Sequence, residues 1–212
     1  MIVNILHFRT ESLRLFEKTI VHALKFCSDT AHASLRANDF HNEKSGSTAM
    51  QSKFSNVFAN FLNSLQAMSI VPRPIRAMIL KARGVSIGYR SSISHHCHLG
   101  PNLTVGNNSF INVECLIETG EPVTIGDGVH LAMRVTILTT SHEIGPPEHR
   151  CGGYKRSSVI IEDGAWVGAS VTILPGVRIG KGCVVAAGAV VNCNTEPNVL
   201  YGGVPARKLR AL

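Results

Sequence analysis

The chain runs to 212 residues, 44% hydrophobic and only 17% charged, enough for one or two domains with an ample core. Its 21 Lys and Arg outnumber 14 Asp and Glu to give a formal charge of +7, yet one Trp and three Tyr leave no aromatics interleaved with the basic residues. That argues against a nucleic-acid surface and favours small anionic ligands, while the low charged fraction points to a surface partly covered by further copies.

The N-terminus does not read as a signal peptide, because Arg9, Glu11, Arg14, Glu17 and Lys18 break it before an apolar core can form. No stretch approaches the roughly 18 apolar residues of a transmembrane segment, and the expectation is a cytoplasmic protein. Residues 8–37 read as a helix, with Leu13, Phe16, Ile20, Ala23 and Leu24 at helical spacing. After a polar break, residues 49–68 give a second helix with Phe54, Val57, Phe58, Phe61, Leu62 and Leu65 on one stripe. Pro72 and Pro74 stop it, and Pro74 suits the first turn of a third helix, Ile75 to Ala82, closed by Gly84. Residues 1–70 are thus a helical extension, and 71–84 a linker with a capping helix.

From Val85 the period changes to six. Aliphatic residues recur at Ile87, Ile93, Leu99, Val105, Ile111 and Ile117, then after two extra residues at Ile125, Leu131 and Ile137. They resume at Ile161, Val167, Ile173, Ile179, Val185 and Val191, making fifteen hexads. The fifth position is small or aliphatic (Ser91, Cys97, Ser109, Cys115, Val129, Val135, Ser141, Ala165, Val171, Val177, Cys183, Ala189). A hexapeptide period reads as a parallel β-helix: each hexad makes one side and one corner, three make a coil, and the heads stack inward. The expected domain is an all-β solenoid of about five coils over 85–195, with the non-repeating tail 196–212 closing its end. Cys97, Cys115 and Cys183 fall on inward positions and read as small buried hydrophobes in a reducing compartment.

The gap between Ile137 and Ile161 holds no hidden repeat, since its heads would be Glu143, His149 and Lys155. Residues 143–160 are therefore a loop excursion rich in Gly, Pro and charge, and long ordered loops are usually functional. It leaves directly after His142, which should sit on a corner at the loop's root. Histidine is the side chain best able to take a proton near neutral pH.

Phe110 to Leu212 resembles the hexapeptide-repeat acyltransferases, and among them the galactoside, maltose and nodulation sugar O-acetyltransferases. The resemblance is carried by Phe110-Ile111-Asn112, Ile125-Gly126-Asp127-Gly128-Val129, Thr140-Ser141-His142, Ala165-Trp166-Val167-Gly168-Ala169, Ile173-Leu174-Pro175-Gly176-Val177 and Gly203-Val204-Pro205-Ala206-Arg207. It implies left-handed coils, a homotrimer, and transfer of acetyl from acetyl-CoA to a sugar or glycan hydroxyl between subunits, with no metal. By the same resemblance His142 is the general base, Asn112 its polar partner, and Phe110 and Asn112 contact the acceptor. Trp166, Gly168, Ala169 and Ala187 line the cofactor groove, with the Ala169 N–H directed at the thioester oxygen, and Arg207 and Arg210 meet the nucleotide phosphates. Asn112 opens the second side of one coil and His142 closes the third side of another. If both serve one site, two chains must bring different corners together.

Some features depart from those enzymes. Residues 1–70 lack their usual N-terminal motif, Cys151-Gly152-Gly153-Tyr154 lacks an expected acidic residue, and Asn192 and Cys193 replace a Thr-Lys type pair. Pro72-Arg73-Pro74-Ile75-Arg76-Ala77, leading to Gly84-Val85-Ser86-Ile87-Gly88, is similar instead to acetyltransferases of capsule and exopolysaccharide synthesis. Rival readings are a streptogramin-type antibiotic acetyltransferase, a non-enzymatic scaffold, and a γ-type carbonic anhydrase with zinc on three histidines. The last draws on His95, His96, His98 and His130, but the first three fall within one hexad and are not spread over coils.

Overall fold

The computed structural model describes residues 60–212, of which Phe61–Leu212 form one compact unit. The helix expected over 8–37 and most of that expected over 49–68 lie outside the described residues. Residues 60–67 are helical (α1), and Arg73–Ala82 form α2 with Pro72 at its N-cap and Pro74 in its first turn.

The hexads then wind into a parallel solenoid with three faces. Face A stacks β1 (Ser86–Ile87), β4 (Leu103–Val105), β7 (Val123–Ile125), β12 (Val159–Ile161) and β15 (Arg178–Ile179). Face B stacks β2 (Ser92–Ile93), β5 (Phe110–Ile111), β8 (His130–Leu131), β13 (Trp166–Val167) and β16 (Val184–Val185). Face C stacks β3 (His98–Leu99), β6 (Leu116–Ile117), β9 (Thr136–Ile137), β14 (Thr172–Ile173) and β17 (Val190–Val191). That is five complete coils. The tail does more than close them: β18 (Val199–Gly202) adds a sixth rung to face B in parallel, and β19 (Arg207–Ala211) runs back along it antiparallel.

Every coil strand ends on the aliphatic head of its hexad, and all fifteen heads are buried. The strand therefore occupies the sixth and first positions, and the second to fifth positions make the corner. Asn112 accordingly leaves the second face, where the hexad pattern had placed it at that face's opening. Of the fifth-position residues, Ser141 is the exception: it is exposed, because its segment belongs to a hairpin outside the coils.

Two of the three corners share one device. The fourth hexad position adopts positive φ at Arg90, Asn108, Gly128, Gly164, Gly182 and Asn198 between faces A and B. It does so again at His96, Glu114, Arg134, Ser170 and Gly188 between faces B and C. A left-handed residue turns the backbone sharply while leaving the fifth side chain pointing inward. Close stacking also demands glycine: a Cβ on Gly106 would lie 2.6 Å from the Gly126 carbonyl carbon of the next coil. Asn107, Asp127 and Asp163 lock the same corner, each accepting from the backbone N–H one coil earlier, those of Tyr89, Asn107 and Asp127.

The first coil leaves an open edge of carbonyls, and polar side chains of the two helices cover it. Arg76, buried, donates from Nε to Gln66 O (2.6 Å), from Nη1 to Ile93 O (3.3 Å) and from Nη2 to Met68 O and Val71 O (2.8 and 2.9 Å). Gln66 Nε2 donates to Cys97 O and Arg83 Nη1 to Leu99 O. Of the apolar stripe expected on the second helix, only Leu62 among its described members is buried; Asn63 and Gln66 are buried beside it and Phe61 is exposed. The reason is that α1 covers a polar edge, which must be hydrogen-bonded and not merely packed.

Candidate functional site

The third corner, between faces C and A, carries no such constraint in the first three coils, and it is the one that changes length. In the third coil it becomes an antiparallel hairpin, β10 (Thr140–Ile144) and β11 (Cys151–Arg156). The excursion is thus paired strand where a loop was expected, it begins at Thr140, and the chain is back in the coil by Val159. Its tip is a turn in which His149 N donates to Pro146 O and Gly145 N to Arg150 O. At its root, the Glu118 carboxylate accepts from the Thr139 and Thr140 N–H groups and from the Thr140 hydroxyl. These hydrogen bonds, the Thr140 hydroxyl foremost, hold the Glu118 carboxyl below its ordinary range.

His142 therefore lies on a hairpin strand and not on the corner itself. It faces Tyr154 across the ladder, with ring centroids 4.6 Å apart, and Arg156 lies over the other partner of that stack, 5.5 Å from the Tyr154 ring. The His142 Nδ1 is 2.9 Å from Gly152 O. A carbonyl can only accept, so Nδ1 carries the proton and Nε2 presents a lone pair. The side chain is exposed, and a proton can reach that lone pair directly.

The remaining expected residues fall on or beside face B. Its outward positions place Ser92, Phe110, His130, Trp166, Val184 and Leu200 in one column, with Arg210 of β19 opposite Leu200. Phe110 is half-buried, its ring 6.2 Å from His130, and Trp166 is 57% exposed. Asn112 follows Phe110 at the corner, where its Oδ1 accepts from Val113 N at 2.8 Å. Its Nδ2 hydrogens have no partner among the described residues.

Two coils further on, the same corner holds Gly168 and Ala169, and Ala187 one coil beyond. Gly168 is there for space: a Cβ would meet Ala187 N at 2.6 Å, and its own N–H is taken by Val185 O. Ala169 differs, since its N–H has no acceptor among the described residues, in a turn tied to the coils on both sides by Ser170 N to Met133 O and Gly188 N to Ala169 O. Ala187 is exposed at the equivalent place. Arg207 and Arg210 are exposed on β19, each held by a backbone carbonyl at or next to its own position.

Phe110, Trp166 and Arg210 are thus brought to one face, with Asn112, Ala169 and Ala187 on the corner beside it. His142 is carried away on the opposite side of face C. Sequence reasoning missed two neighbours, Arg73 and His130, which flank Phe110 on either side. His130 was legible from its register with Phe110, twenty residues away after the two-residue insertion; Arg73 was not, because it reaches face B from α2. As for zinc, His98 is hydrogen-bonded to Asn63 and His130 stands beside Phe110, and no three His, Cys, Asp or Glu among the described residues gather as a metal site.

A ladder of hexads with one hairpin defines a recognisable class. The family described as bacterial transferase hexapeptide (six repeats) matches residues 158–193, and the hexapeptide repeat of succinyl-transferase matches 102–138. A hexapeptide-repeat acetyltransferase from Vibrio cholerae, solved with acetyl coenzyme A, is 32% identical with a TM-score of 0.65 over 73% of this chain and 85% of its own. A maltose O-acetyltransferase from Clostridium difficile is likewise 32% identical, TM-score 0.65, over 73% and 84%. The galactoside O-acetyltransferase of Escherichia coli is 35% identical over 53% of this chain and 56% of its own length. The chain spans little more than half the length of such curated relatives. It belongs to the hexapeptide-repeat acetyltransferases.

Proposed function

We propose that the chain is an acetyl-CoA-dependent O-acetyltransferase that acetylates a hydroxyl of a sugar or glycan precursor, with His142 as general base. The observation that carries this reading is the hydrogen bond from His142 Nδ1 to Gly152 O, which leaves Nε2 as proton acceptor on an exposed, strand-anchored side chain. The relatives named for acetylating galactosides and maltose support the acceptor class, and the Vibrio cholerae complex supports the donor.

In this reading Nε2 takes the proton from the acceptor hydroxyl as its oxygen attacks the thioester carbonyl carbon. The oxygen of that carbonyl gains charge and is met by the Ala169 N–H, a donor with no acceptor among the described residues. When the C–S bond breaks, the imidazolium returns the proton to the departing thiolate, so base and acid are one residue. Acetyl-CoA supplies the activated acetyl group, which fits a corner of small residues at Gly168, Ala169 and Ala187 and exposed arginines at 207 and 210. A donor of this kind implies the cytoplasm.

Within one subunit, His142 and Asn112 occupy opposite ends of face C. A site using both requires hairpin and corner from neighbouring copies, most simply a cyclic homotrimer. The test is His142→Ala: acetyl transfer to sugar acceptors should fall by about 100- to 10,000-fold with CoA binding retained. A fully active His142→Ala enzyme would remove the residue from the reaction.

A further inference from the structure

Beside the proposed acceptor contact Phe110 stand two cationic or protonatable groups. The Arg73 guanidinium lies 5.8 Å from the Phe110 ring centroid, and His130 lies on the other side at 6.2 Å between rings. Arg73 is exposed and makes no ion pair among the described residues, whose three salt bridges, Arg178–Glu162, Lys181–Asp163 and Lys208–Glu196, are all elsewhere. The outward column of face B holds no carboxylate. On the corner between faces B and C the sole acid is Glu114, set between His96 and Arg134 in its own column. On the corner between faces A and B, Asp127, Glu162 and Asp163 already accept from Asn107 N, from Arg178 Nε and Lys181 N, and from Asp127 N, respectively.

The hairpin repeats the pattern with different residues. Tyr154 carries Arg156 at 5.5 Å and His142 at 4.6 Å. Both halves of the proposed composite site therefore offer an aromatic ring flanked by a guanidinium and an imidazole. An arginine packed on a ring keeps its donors in plane and directed at solvent, ready for a carboxylate or phosphate.

We infer that the acceptor is an anionic sugar, one bearing a carboxylate or phosphate near the acetylated hydroxyl, with Arg73 as its principal specificity determinant and His130 as a second donor. This rests on the reading of Phe110 and Asn112 as the acceptor side of an acetyltransferase. A rival source of the same anion is the donor's own phosphates. Those have Arg207 and Arg210, and Arg210 stands five strand spacings from Phe110, about 24 Å. The two ends of face B thus hold separate anion sites.

The experiment compares D-glucuronate, glucose 1-phosphate and D-glucose as acceptors, following thiol release, with calorimetric titration of each sugar in the presence of CoA. The native chain should favour at least one anionic sugar over glucose by about tenfold or more in kcat/KM. Arg73→Gln should abolish most of that preference, Arg73→Lys should keep part of it, and KM for acetyl-CoA should stay within about twofold. Equal use of glucose overturns the inference, as does an Arg73→Gln variant that raises KM for acetyl-CoA and leaves the acceptor ratio unchanged. If no sugar is acetylated yet an anionic sugar binds through Arg73, the anion site stands and the acetyltransferase reading fails; absence of both transfer and binding overturns the inference.

Discussion

His142 shows what one hydrogen bond decides. Gly152 O fixes both the tautomer and the ring plane, and it does so from the facing strand, so the imidazole is oriented by the hairpin and, among the described residues, by no hydrogen bond from the coils. Glu118 then ties the hairpin to the coil. Its pKa is held down in the folded chain, so its contribution is complete above the ordinary carboxylate range and is lost as pH falls through the depressed value. Acid should therefore loosen the hairpin root before the coils: amide exchange at Thr139 and Thr140 should rise at low pH, and Glu118→Gln should show the same rise near neutrality. Unchanged exchange in that variant would exclude the carboxylate as anchor. The sequence disclosed His142 through its place beside the break in period, but not the partner that orients it. Gly152 contributes only a carbonyl, and a backbone atom leaves no trace in residue type.

At the scale of elements, the ends of the solenoid differ in kind. The C-terminal end is finished by pairing, β18 parallel and β19 antiparallel, whereas the N-terminal end is finished by side chains. Arg76 serves four carbonyls from three segments, so Arg76→Met should cost roughly 3–5 kcal/mol, read as a lowered denaturant midpoint. A midpoint within error of the native chain would show that water replaces the guanidinium. Gly106→Ala, where the new methyl meets the backbone of the next coil, should destabilise by about 1–3 kcal/mol without touching any proposed site residue. The coils were readable because their heads and small fifth residues repeat. The cap was not: Arg76 and Gln66 look like surface residues until the edge they satisfy is known, and the hairpin was hidden because Gly152, Gly153 and the charged side chains of β11 give no apolar alternation.

For the whole molecule, the column of Phe110, His130 and Trp166 leaves aromatic surface exposed on one face whose outward positions carry no acid or base but a histidine, so that the net charge of +7 lies elsewhere. Sedimentation of the full chain should give a single species of three subunits, and a monodisperse, fully active monomer would refute sites shared between chains. No helix among the described residues is long and apolar enough to cross a membrane.

The unequal corners of the coil carry a last implication. Two are bound to fixed length by a left-handed residue in every turn, so any insertion there would shift each later side chain out of its column. The third takes six residues in one coil, eight in another and a whole hairpin in the next, with Val159 returning to pair beside Val123 in unbroken register. Replacing residues 140–156 with the corresponding segment of another such enzyme should therefore leave the folding of the coils undisturbed, and any acceptor preference that rests on Arg73 in place. The molecule is laid out as a fixed loom with one exchangeable shuttle.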